Sequence, residues 1–419
     1  MLSSTTVSTF LLLAIFLSVA NSYKILVIFP TGSFSHQRPQ QVVSRALADA
    51  GHEVTIISPN PFETQNPNIK QININFTYEC MKVFDLSKPI TPFAILDLVI
   101  TYAQSITERI LEHPEVWEIY QNGKNEKFDA VIMEPFSHIP LYAIRDILNT
   151  TFIGMSSTEV NPTTHRNMGN VIHPILHPSF FIGTPKNPTL LDRIYMTYYQ
   201  LYIEYWQKYL FYPKMDEIIK KYFPQLKSTA KTLVRFDMLI EGVTMALGRV
   251  RPLVPNTVQI GFLHVEPPKA LPTDLQRYLD NSKKGVVYLS FGSNVKSATL
   301  RPEIRQILIN TIRRLDFDVL WKFEEDKLED KPENVRIEKW LPQQDVLAHK
   351  NIKLFIMQGG LQSMDETIDR GVPVVVVPFF GDQYANAAKI ERLGIGRRVN
   401  VNELDKLEET VLEVIGNPK

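Results

Sequence analysis

The chain has 419 residues, with 45 Lys and Arg against 45 Asp and Glu, so its formal net charge is zero. Hydrophobic residues make up 44% and charged residues 21%, a globular composition that excludes disordered, collagen-like and coiled-coil chains. The charge balance argues against nucleic acid as a partner, because no basic excess is available to displace counterions. The single cysteine, Cys80, excludes an intrachain disulfide and a cysteine-based zinc site. The length predicts two or more domains.

The N-terminus has the features of a secretory leader. Its first 22 residues carry no charged side chain, and residues 10–19 form an apolar run that is too short to span a bilayer. We predict a signal peptide over residues 1–22 and entry into the secretory pathway, to the endoplasmic reticulum lumen or the cell exterior. A buried N-terminal helix is the alternative. Asn75 and Asn149 begin Asn-x-Thr sequons and are candidate N-glycosylation sites.

After the leader, apolar strands alternate with helical patterns. The first unit has a strand over 24–29, a Gly/Ser loop, a helix over 39–50 and a strand over 53–58, which together form a βαβ unit. Further strands are predicted at 130–133, 151–155, 286–291, 353–357 and 374–377. Most are continuously apolar, as expected of parallel strands that helices cover on both faces. The predicted fold class is therefore α/β, with doubly wound sheets.

The distribution of proline and charge indicates two domains. Both residue types cluster near 249–255 and again near 266–273. We predict an N-terminal domain over 23–250, an interdomain linker over 251–275 and a C-terminal domain over 276–419. In such sheets ligands bind at the carboxyl ends of the strands, and here also in the cleft between domains.

A pair of glycines between a strand and a helix is the first candidate ligand site. Gln358-Gly359-Gly360 follows the strand over 353–357 and precedes a helical pattern that runs to Arg370. Two glycines at a helix N-terminus let a phosphate approach the free backbone N–H groups, where the helix dipole favours negative charge. A tight turn without a ligand is the alternative for the glycine pair alone.

Polar side chains of the same helix support the ligand interpretation. Gln362 and Ser363 add neutral donors in the first turn, and Glu366 can accept two ribose hydroxyls one turn later. The common nucleotide signatures G-x-G-x-x-G and G-x-x-x-x-G-K-[ST] are absent. This absence disfavours a nicotinamide-dependent oxidoreductase, which remains an alternative function.

Motifs on both sides of this helix carry a resemblance to a known family. Trp340-Leu341-Pro342-Gln343 lies upstream, and Gly371-Val372-Pro373 and Phe379-Phe380-Gly381-Asp382-Gln383 lie downstream. The block resembles the signature of UDP-sugar-dependent glycosyltransferases with the GT-B fold, and the whole chain resembles an insect-type UDP-glycosyltransferase.

The resemblance implies a fold and a reaction. The fold would be two Rossmann-like domains that face each other across a cleft. The reaction would be the inverting transfer of a hexose, glucose above others, from a UDP-sugar to a hydroxyl of a small lipophilic acceptor such as a phenol, toxin, pigment or hormone. No metal and no other cofactor would be needed.

The resemblance also implies roles for individual donor-site residues. Trp340 is expected to stack on the uracil, Gln343 to bind the nucleoside, Glu366 the ribose, and Asp382 with Gln383 the sugar hydroxyls. The remaining members are expected near the diphosphate, and the whole donor-binding set is Ser293, Trp340, Gln343, Gln358, Gly359, Gly360, Gln362, Ser363, Glu366, Asp382 and Gln383. Gln358 stands where the family commonly has histidine, so it can donate a hydrogen bond but brings no positive charge.

The base of the reaction is predicted to be His36. It lies in the loop over 31–38 after the first strand, and the pKa range of histidine suits a general base. By the resemblance, the family's catalytic histidine falls in this loop. Its acidic partner matches Glu134, at the end of the strand over 128–133, where many relatives have aspartate. Glu134 is expected to orient the imidazole and to stabilise its protonated form.

Two features leave alternatives open. Residues 193–212 carry nine aromatics, of which Tyr195, Tyr198, Tyr202 and Trp206 recur at helical spacing. The segment is interpreted as a helix packed on the first domain, or else as an acceptor-pocket wall or membrane contact. Relatives of the resembled family continue into a transmembrane helix of the endoplasmic reticulum, so we expect this chain to be truncated before it. A truncated, non-catalytic protein that binds UDP-sugar or a small molecule is therefore the alternative to an enzyme.

Overall fold

The computed structural model describes residues 22–84, 91–179, 181–182, 187–243 and 250–417. The predicted signal peptide over 1–22 lies outside the described residues, except for Ser22. The described chain folds around two parallel sheets, one in each half of the sequence.

The first sheet has seven strands in the order β3-β2-β1-β4-β5-β6-β7, and every neighbouring pair is parallel. The strands are β1 Lys24–Ile28, β2 Glu53–Ser58, β3 Ile69–Asn73, β4 Ala130–Met133, β5 Thr151–Ser156, β6 Met238–Glu241 and β7 Thr257–Gln259. The second sheet has six parallel strands in the order β10-β9-β8-β11-β12-β13. These strands are β8 Val286–Ser290, β9 Asp318–Lys322, β10 Val335–Glu338, β11 Ile352–Met357, β12 Val374–Val376 and β13 Gly396–Arg398.

Helices connect the strands and cover the sheets. In the first half they are α1 Phe34–Asp49, α2 Thr77–Cys80, α3 Ala94–Leu111, α4 Pro114–Glu126, α5 Ala143–Leu148, α6 Pro162–Met168, α7 Leu190–Trp206, α8 Tyr212–Tyr222 and α9 Ala230–Leu233. In the second half they are α10 Thr273–Asn281, α11 Pro302–Arg314, α12 Gln343–Leu347, α13 Leu361–Arg370, α14 Gln383–Leu393 and α15 Leu407–Gly416. Within the described ranges, none of these helices is long and apolar enough to cross a bilayer.

The continuous apolar strands are buried on both faces, as the sequence predicts. In β1, Leu26 and Ile28 enter one core cluster, whereas Ile25 and Val27 enter the cluster on the opposite face. Side chains of a strand alternate between faces, so an apolar run fills both layers only when helices cover both. The predicted α/β class is therefore confirmed, and each sheet aligns the carboxyl ends of its strands at one edge.

The predicted domain boundary is wrong by about one strand. β7 lies inside the segment 251–275, but it pairs with β6 and so belongs to the first sheet. The predicted end at residue 250 is too early, and α10 already begins at Thr273. Three residues with one apolar side chain give no periodic signal, so only the pairing reveals this strand.

The aromatic segment forms α7, but its buried face differs from the predicted one. Met196, Tyr199, Ile203 and Trp206 are buried, whereas Tyr198 is 57% exposed. The helix begins at a capping box in which Thr189 and Asp192 bond each other's backbone N–H groups. The buried stripe therefore starts one position later than the tyrosine pattern suggested.

Candidate active site

A histidine and a carboxylate meet at the carboxyl edge of the first sheet. Glu134 directly follows β4, and its Oε1 accepts a hydrogen bond from His36 Nδ1 at 3.0 Å. The Glu134 side chain is only 3% exposed and that of His36 is 22% exposed. Because Nδ1 carries the proton toward the carboxylate, Nε2 of the neutral ring keeps a free lone pair. The dyad predicted from the sequence is thus present, with a ring nitrogen available as a base.

The structure corrects the local setting of His36. The histidine was expected in a loop before a helix starting at Pro39, but α1 begins at Phe34 and places His36 in its first turn. Ser33 is extended and serves as the N-cap residue of α1. Proline is common at the first position of a helix, and this preference explains the late predicted start. A helical turn fixes the histidine backbone more firmly than a loop would.

Thr31 holds the other oxygen of the buried carboxylate. Its Oγ1 donates to Glu134 Oε2 at 2.6 Å, and its backbone N–H donates to the same atom at 3.2 Å. A buried carboxylate is stable only when its oxygens are satisfied in this way. The next turn is fixed through the Glu134 carbonyl, which accepts from His138 Nε2 and the Tyr142 hydroxyl.

The dyad shifts the pKa values of both members. Burial lowers the pKa of His36, but the hydrogen bond and charge of Glu134 raise it, as does the charge of Asp382, and the net pKa lies above 6.5. Burial raises the pKa of Glu134, but the hydrogen bond and charge of His36 outweigh it, so the net pKa is lowered. The carboxylate is therefore ionised, and the imidazole is a stronger base than an isolated histidine.

A cavity of about 310 Å³ opens in the cleft between the sheets. Ser293, Trp340, Gln343, Gln358, Gly360, Gln362, Ser363 and Glu366 of the predicted donor set line it. Phe34, Ser35 and Arg38 of α1 line its other side. Ser33 and Asn294 also bond across the cleft, with Asn294 Nδ2 donating to Ser33 Oγ at 3.2 Å. The volume lies within the range of small-ligand sites.

An exposed indole and a buried cation mark one end of this cavity. Trp340 is 59% exposed, and its ring meets the Phe34 ring edge-on at 5.3 Å between centroids. Lys322 Nζ lies 5.6 Å from the Trp340 ring centroid and donates to the Gly292 carbonyl at 3.0 Å. Lys322 ends β9, and its charge is balanced by Glu324, whose Oε1 accepts from Nζ at 2.8 Å.

Two adjacent glutamines hold the carboxylate of Glu366. Gln343 Nε2 donates to Glu366 Oε2 at 2.6 Å, and Gln344 Nε2 donates to Oε1 at 3.1 Å. Gln343 Nε2 also donates to Ser363 Oγ at 2.8 Å, which leaves the Ser363 hydroxyl proton free for another acceptor. Tyr288 fixes Gln343 from behind by donating to its Oε1 at 3.1 Å.

Gln383 orients Gln358 toward the cavity. Backbone N–H groups of Phe379 and Phe380 donate to Gln383 Oε1, so its amide nitrogen faces Gln358 and donates to Oε1 at 3.2 Å. The Gln358 amide nitrogen then points the other way, beside Gly292. A Cβ at Gly292, whose φ is +74°, would lie 2.6 Å from that nitrogen. The glycine therefore makes room for the Gln358 donor.

Four predicted donor residues have settings that differ from the expectation. Gly359 does not line the cavity; it has a φ of +95°, and a Cβ there would lie 2.8 Å from Val376, as in the tight-turn alternative. Gln383 is buried, with the structural bonds just described. Gln362 lines the cavity, but its Nε2 donates across the cleft to the Ser157 carbonyl at 3.0 Å. Asp382 accepts from Asn386 Nδ2 at 2.9 Å and lies near His36, and its pKa is raised by burial.

Several functional neighbours were missed by sequence reasoning. Thr31 lies three residues after the end of β1 and Lys322 ends β9, and positions at or near strand ends are a signal that can be read. Gln344 adjoins the predicted Gln343. His264, whose Nε2 donates to the Gln362 carbonyl, lies in the predicted linker and has no such signal.

A second cavity, of about 80 Å³, lies within the first domain. Phe136 lines it and also contacts the His36 ring, with 6.4 Å between ring centroids. One wall comes from Ile203 and Trp206 of α7, in agreement with both the packing and the pocket-wall interpretations of that helix. His36 thus contacts a residue of the smaller cavity, and Phe34 and Ser35 of the same helical turn line the larger one.

Two other predictions concern a bound metal ion and N-linked glycans. Among the residues with described structure, no three His, Cys, Asp or Glu side chains are arranged to hold a metal ion. Asn75 and Asn149 are both exposed, so their side chains are accessible. Metal independence and glycosylation stay predictions.

Comparisons with known proteins agree with this architecture. The family model for "UDP-glucoronosyl and UDP-glucosyl transferase" matches residues 24–419. UDP-glycosyltransferase UGT5 of Dactylopius coccus is 30% identical, over 98% of this chain and 80% of its own length. The ecdysteroid UDP-glucosyltransferase of Spodoptera littoralis nuclear polyhedrosis virus is also 30% identical, over 94% and 82%. The 2-hydroxyacylsphingosine 1-beta-galactosyltransferase of Homo sapiens is 29% identical, over 98% and 76%.

Solved structures show the same fold at low identity. The glycotransferase of kitacinnamycin has a TM-score of 0.61 at 17% identity, covering 95% of this chain and 92% of that one. LpCGTa in complex with UDP has a TM-score of 0.56 at 17% identity, covering 95% and 91%. The predicted GT-B arrangement is confirmed. The chain therefore belongs to the UDP-glucoronosyl and UDP-glucosyl transferase family, and it is a glycosyltransferase built from two Rossmann-like domains.

Proposed function

We propose that the protein transfers glucose from UDP-glucose to a hydroxyl of a small lipophilic acceptor, with His36 as the general base. The observation that carries this proposal is the His36–Glu134 pair at 3.0 Å, which leaves Nε2 of the neutral ring free on a helical turn that lines the larger cavity. Base catalysis needs an available lone pair, which Nε2 supplies, and the hydrogen bond and charge of Glu134 raise the pKa of His36 and so strengthen the base.

In this mechanism the acceptor oxygen attacks the anomeric carbon while its proton moves to His36 Nε2. UDP leaves from the opposite face, so a single displacement inverts the anomeric configuration. Glu134 stays ionised and stabilises the imidazolium, in the manner of the aspartate of a serine-protease triad. Thr31 keeps the carboxylate in place through two hydrogen bonds.

The donor would occupy the larger cavity. Trp340 offers an indole face to the uracil, and Glu366 offers carboxylate lone pairs to the ribose hydroxyls. The first N–H groups of α13 have no partner within the helix, and they face the diphosphate together with Ser363 and Gln358. Lys322 is paired with Glu324 at 2.8 Å, so the proposed diphosphate site relies mainly on these neutral donors, and we propose that it needs no metal ion.

Glucose is proposed because relatives of this chain carry glucosyltransferase names, whereas the human relative is named a galactosyltransferase. Asp382 lies near His36, where the sugar must sit during transfer, and its carboxylate suits sugar hydroxyls. The two sugars differ in one hydroxyl configuration, so the donor preference is a direct test.

The predicted leader and the exposed sequons lead us to propose a glycoprotein of the endoplasmic reticulum lumen or the secretory pathway. Lipophilic phenols, plant toxins, pigments and hormones are the proposed acceptors, with detoxification as one role. Membrane association belongs to the same proposal.

The test is product formation by the purified, leader-free protein. The protein is incubated with UDP-glucose and a panel of phenols, and glycosides are detected by mass spectrometry, with UDP-galactose and UDP-glucuronate as matched donors. We expect a hexoside from UDP-glucose, at the highest rate of the three, and a β-glucoside by proton NMR. Saturable UDP binding without any transfer would instead support the non-catalytic binder.

A further inference from the structure

The smaller cavity has a chemically distinctive wall. Its apolar part is largely aromatic and includes Phe136, Tyr142, Trp206, Phe211 and Phe236. None of the described lining residues is charged, and amides and hydroxyls supply the polar part. Such a wall fits an uncharged ligand with an aromatic ring, because ring faces pack on rings and no charge awaits a counter-ion.

Two polar atoms of this wall lack partners within the protein. The Trp206 side chain is 3% exposed and that of Ser137 is 9% exposed, and both residues line the cavity. Neither Trp206 Nε1 nor Ser137 Oγ is hydrogen-bonded to another protein atom. A buried polar group without a partner costs free energy, so a ligand oxygen in this cavity that accepts from Nε1 would be favoured.

The backbone around Trp206 singles out this position. α7 ends at Trp206 and continues as a π-helical turn over Gln207–Phe211, a rare form that is frequent at functional sites. The Trp206 and Phe211 rings stack at 5.0 Å between centroids, and both line the cavity. The turn thus places an indole donor and a stacking ring on one wall.

We propose that this cavity selects acceptors that carry a second oxygen, remote from the attacked hydroxyl, which accepts a hydrogen bond from Trp206 Nε1. An indole N–H is a donor only, so the matching ligand atom is a carbonyl, ether or hydroxyl oxygen. Ser137 supplies a hydroxyl to the same polar group or to a neighbouring one. The substrate class is therefore an uncharged phenol with a remote oxygen rather than a purely hydrocarbon phenol, a statement that rests on the proposed function.

Phe136 links this selection to the chemistry. Its ring contacts both the cavity and His36, so a phenol whose remote oxygen meets Trp206 extends past Phe136 toward the dyad. Trp206 is then a specificity-determining residue and takes no part in proton transfer.

The test uses two phenols that differ at one atom group. Raspberry ketone has a carbonyl two methylenes away from its ring, and para-isopentylphenol replaces that C=O with CH–CH₃, so phenol acidity and shape are matched. Binding of each is measured by calorimetry, and kcat/KM is measured with UDP-glucose. The variants are Trp206→Phe and Ser137→Ala, with Trp117→Phe as a control outside the cavity.

We expect the wild type to bind the ketone about tenfold more tightly than the hydrocarbon and to glycosylate it with a higher kcat/KM in the same proportion. Trp206→Phe should abolish most of that preference, Ser137→Ala should reduce it, and Trp117→Phe should retain it. Equal affinities in the wild type, or a preference that survives Trp206→Phe, would overturn the inference. Selective binding without turnover would sink the proposed function and leave the inference standing, whereas turnover without selectivity would do the reverse.

Discussion

The two halves of the active site are built on different physical terms. In the first domain one hydrogen-bonded pair, His36 with Glu134, is proposed to carry the chemistry, and Thr31 supplies two hydrogen bonds to the carboxylate. In the second domain the donor cavity is held by a network of several hydrogen bonds, such as Gln343 to Ser363 and to Glu366, and Gln383 to Gln358. The proposed chemistry thus depends on one pair of residues in the first domain, whereas binding is distributed over many residues in the second.

This difference determines how much activity or binding is lost when one side chain is substituted. Catalysis that depends on one lone pair is lost when one side chain is removed, because no neighbour can replace it. Binding that is spread over many neutral hydrogen bonds loses only one contribution at a time, at about 1 kcal/mol each. We therefore expect the effects of substitution to decrease from the His36–Glu134 pair to the donor cavity.

His36→Ala is expected to have the largest effect. Without Nε2 the acceptor hydroxyl keeps its proton during attack, and kcat/KM should fall by about a thousandfold, within the usual range for a general base. UDP affinity should change less than about twofold, since the larger cavity is lined without His36. Initial rates and UDP titrations check this. His52→Ala, at the amino-terminal edge of the same sheet, is the matched control and should behave as wild type.

Glu134→Gln is expected to reduce kcat by about tenfold to a hundredfold, because a neutral amide orients the ring but does not stabilise the imidazolium. The pKa of His36 is raised by the charge and hydrogen bond of Glu134, so removing that charge should shift the acidic limb of the rate profile to lower pH. Rates across pH check both effects. An unmoved limb would show that Glu134 does not control the base.

Trp340→Ala is expected to raise the Kd of UDP by about fivefold to a hundredfold, since base–aromatic stacking contributes about 1–3 kcal/mol. The side chain is 59% exposed, so the folded state should not depend on it. Calorimetric titration with UDP measures the change, and thermal unfolding serves as the folding check. Trp340→Phe keeps a stacking ring, so its Kd for UDP should lie between those of the wild type and Trp340→Ala. A Kd as high as that of Trp340→Ala would argue against stacking.

Gln358→Leu is expected to raise the Kd of UDP by only about fivefold, because one neutral hydrogen bond of about 1 kcal/mol is lost among several. Gln358→His restores a donor and, when protonated, a charge, and it should bind UDP more tightly than the leucine variant. Titrations of both variants at the same pH check this. A rise in the Kd as large as that of Trp340→Ala would mean that binding is not spread evenly over several hydrogen bonds.

Much of the fold could be predicted because its signals are local. The strands β2 and β4 and the helix α13 have the bounds read from apolar runs and from the glycines beside them. Parallel strands buried on both faces leave this pattern in the sequence itself. Short strands with few apolar residues, β7 and β13, leave no such pattern and depend on pairing with a neighbour.

The site residues likewise divide into those with a local signal in the sequence and those whose roles depend on packing. The position after the first strand and the family resemblance led to His36, and the resemblance led to Glu134. The motif block led to seven donor-site residues that line one cavity, and the resemblance added Ser293. The hydrogen-bond partners of those residues are set by tertiary packing, so Gln344 and His264 were missed and the structural bonds of Gln383 were unforeseen. The unpaired Nε1 donor of Trp206 could likewise not be predicted, because burial without a partner is a property of the packed molecule.

The role of His36 as the general base is tested most directly by the pH dependence of kcat/KM for glucosyl transfer, measured for the wild type and His36→Ala side by side. The dyad predicts that the wild-type rate falls on the acid side with an apparent pKa above 6.5, because Nε2 must be unprotonated to act and the Glu134 charge holds its proton more firmly. The residual rate of His36→Ala should lack this limb. The same acidic limb in both proteins would contradict a His36 base and assign the proton transfer to another group.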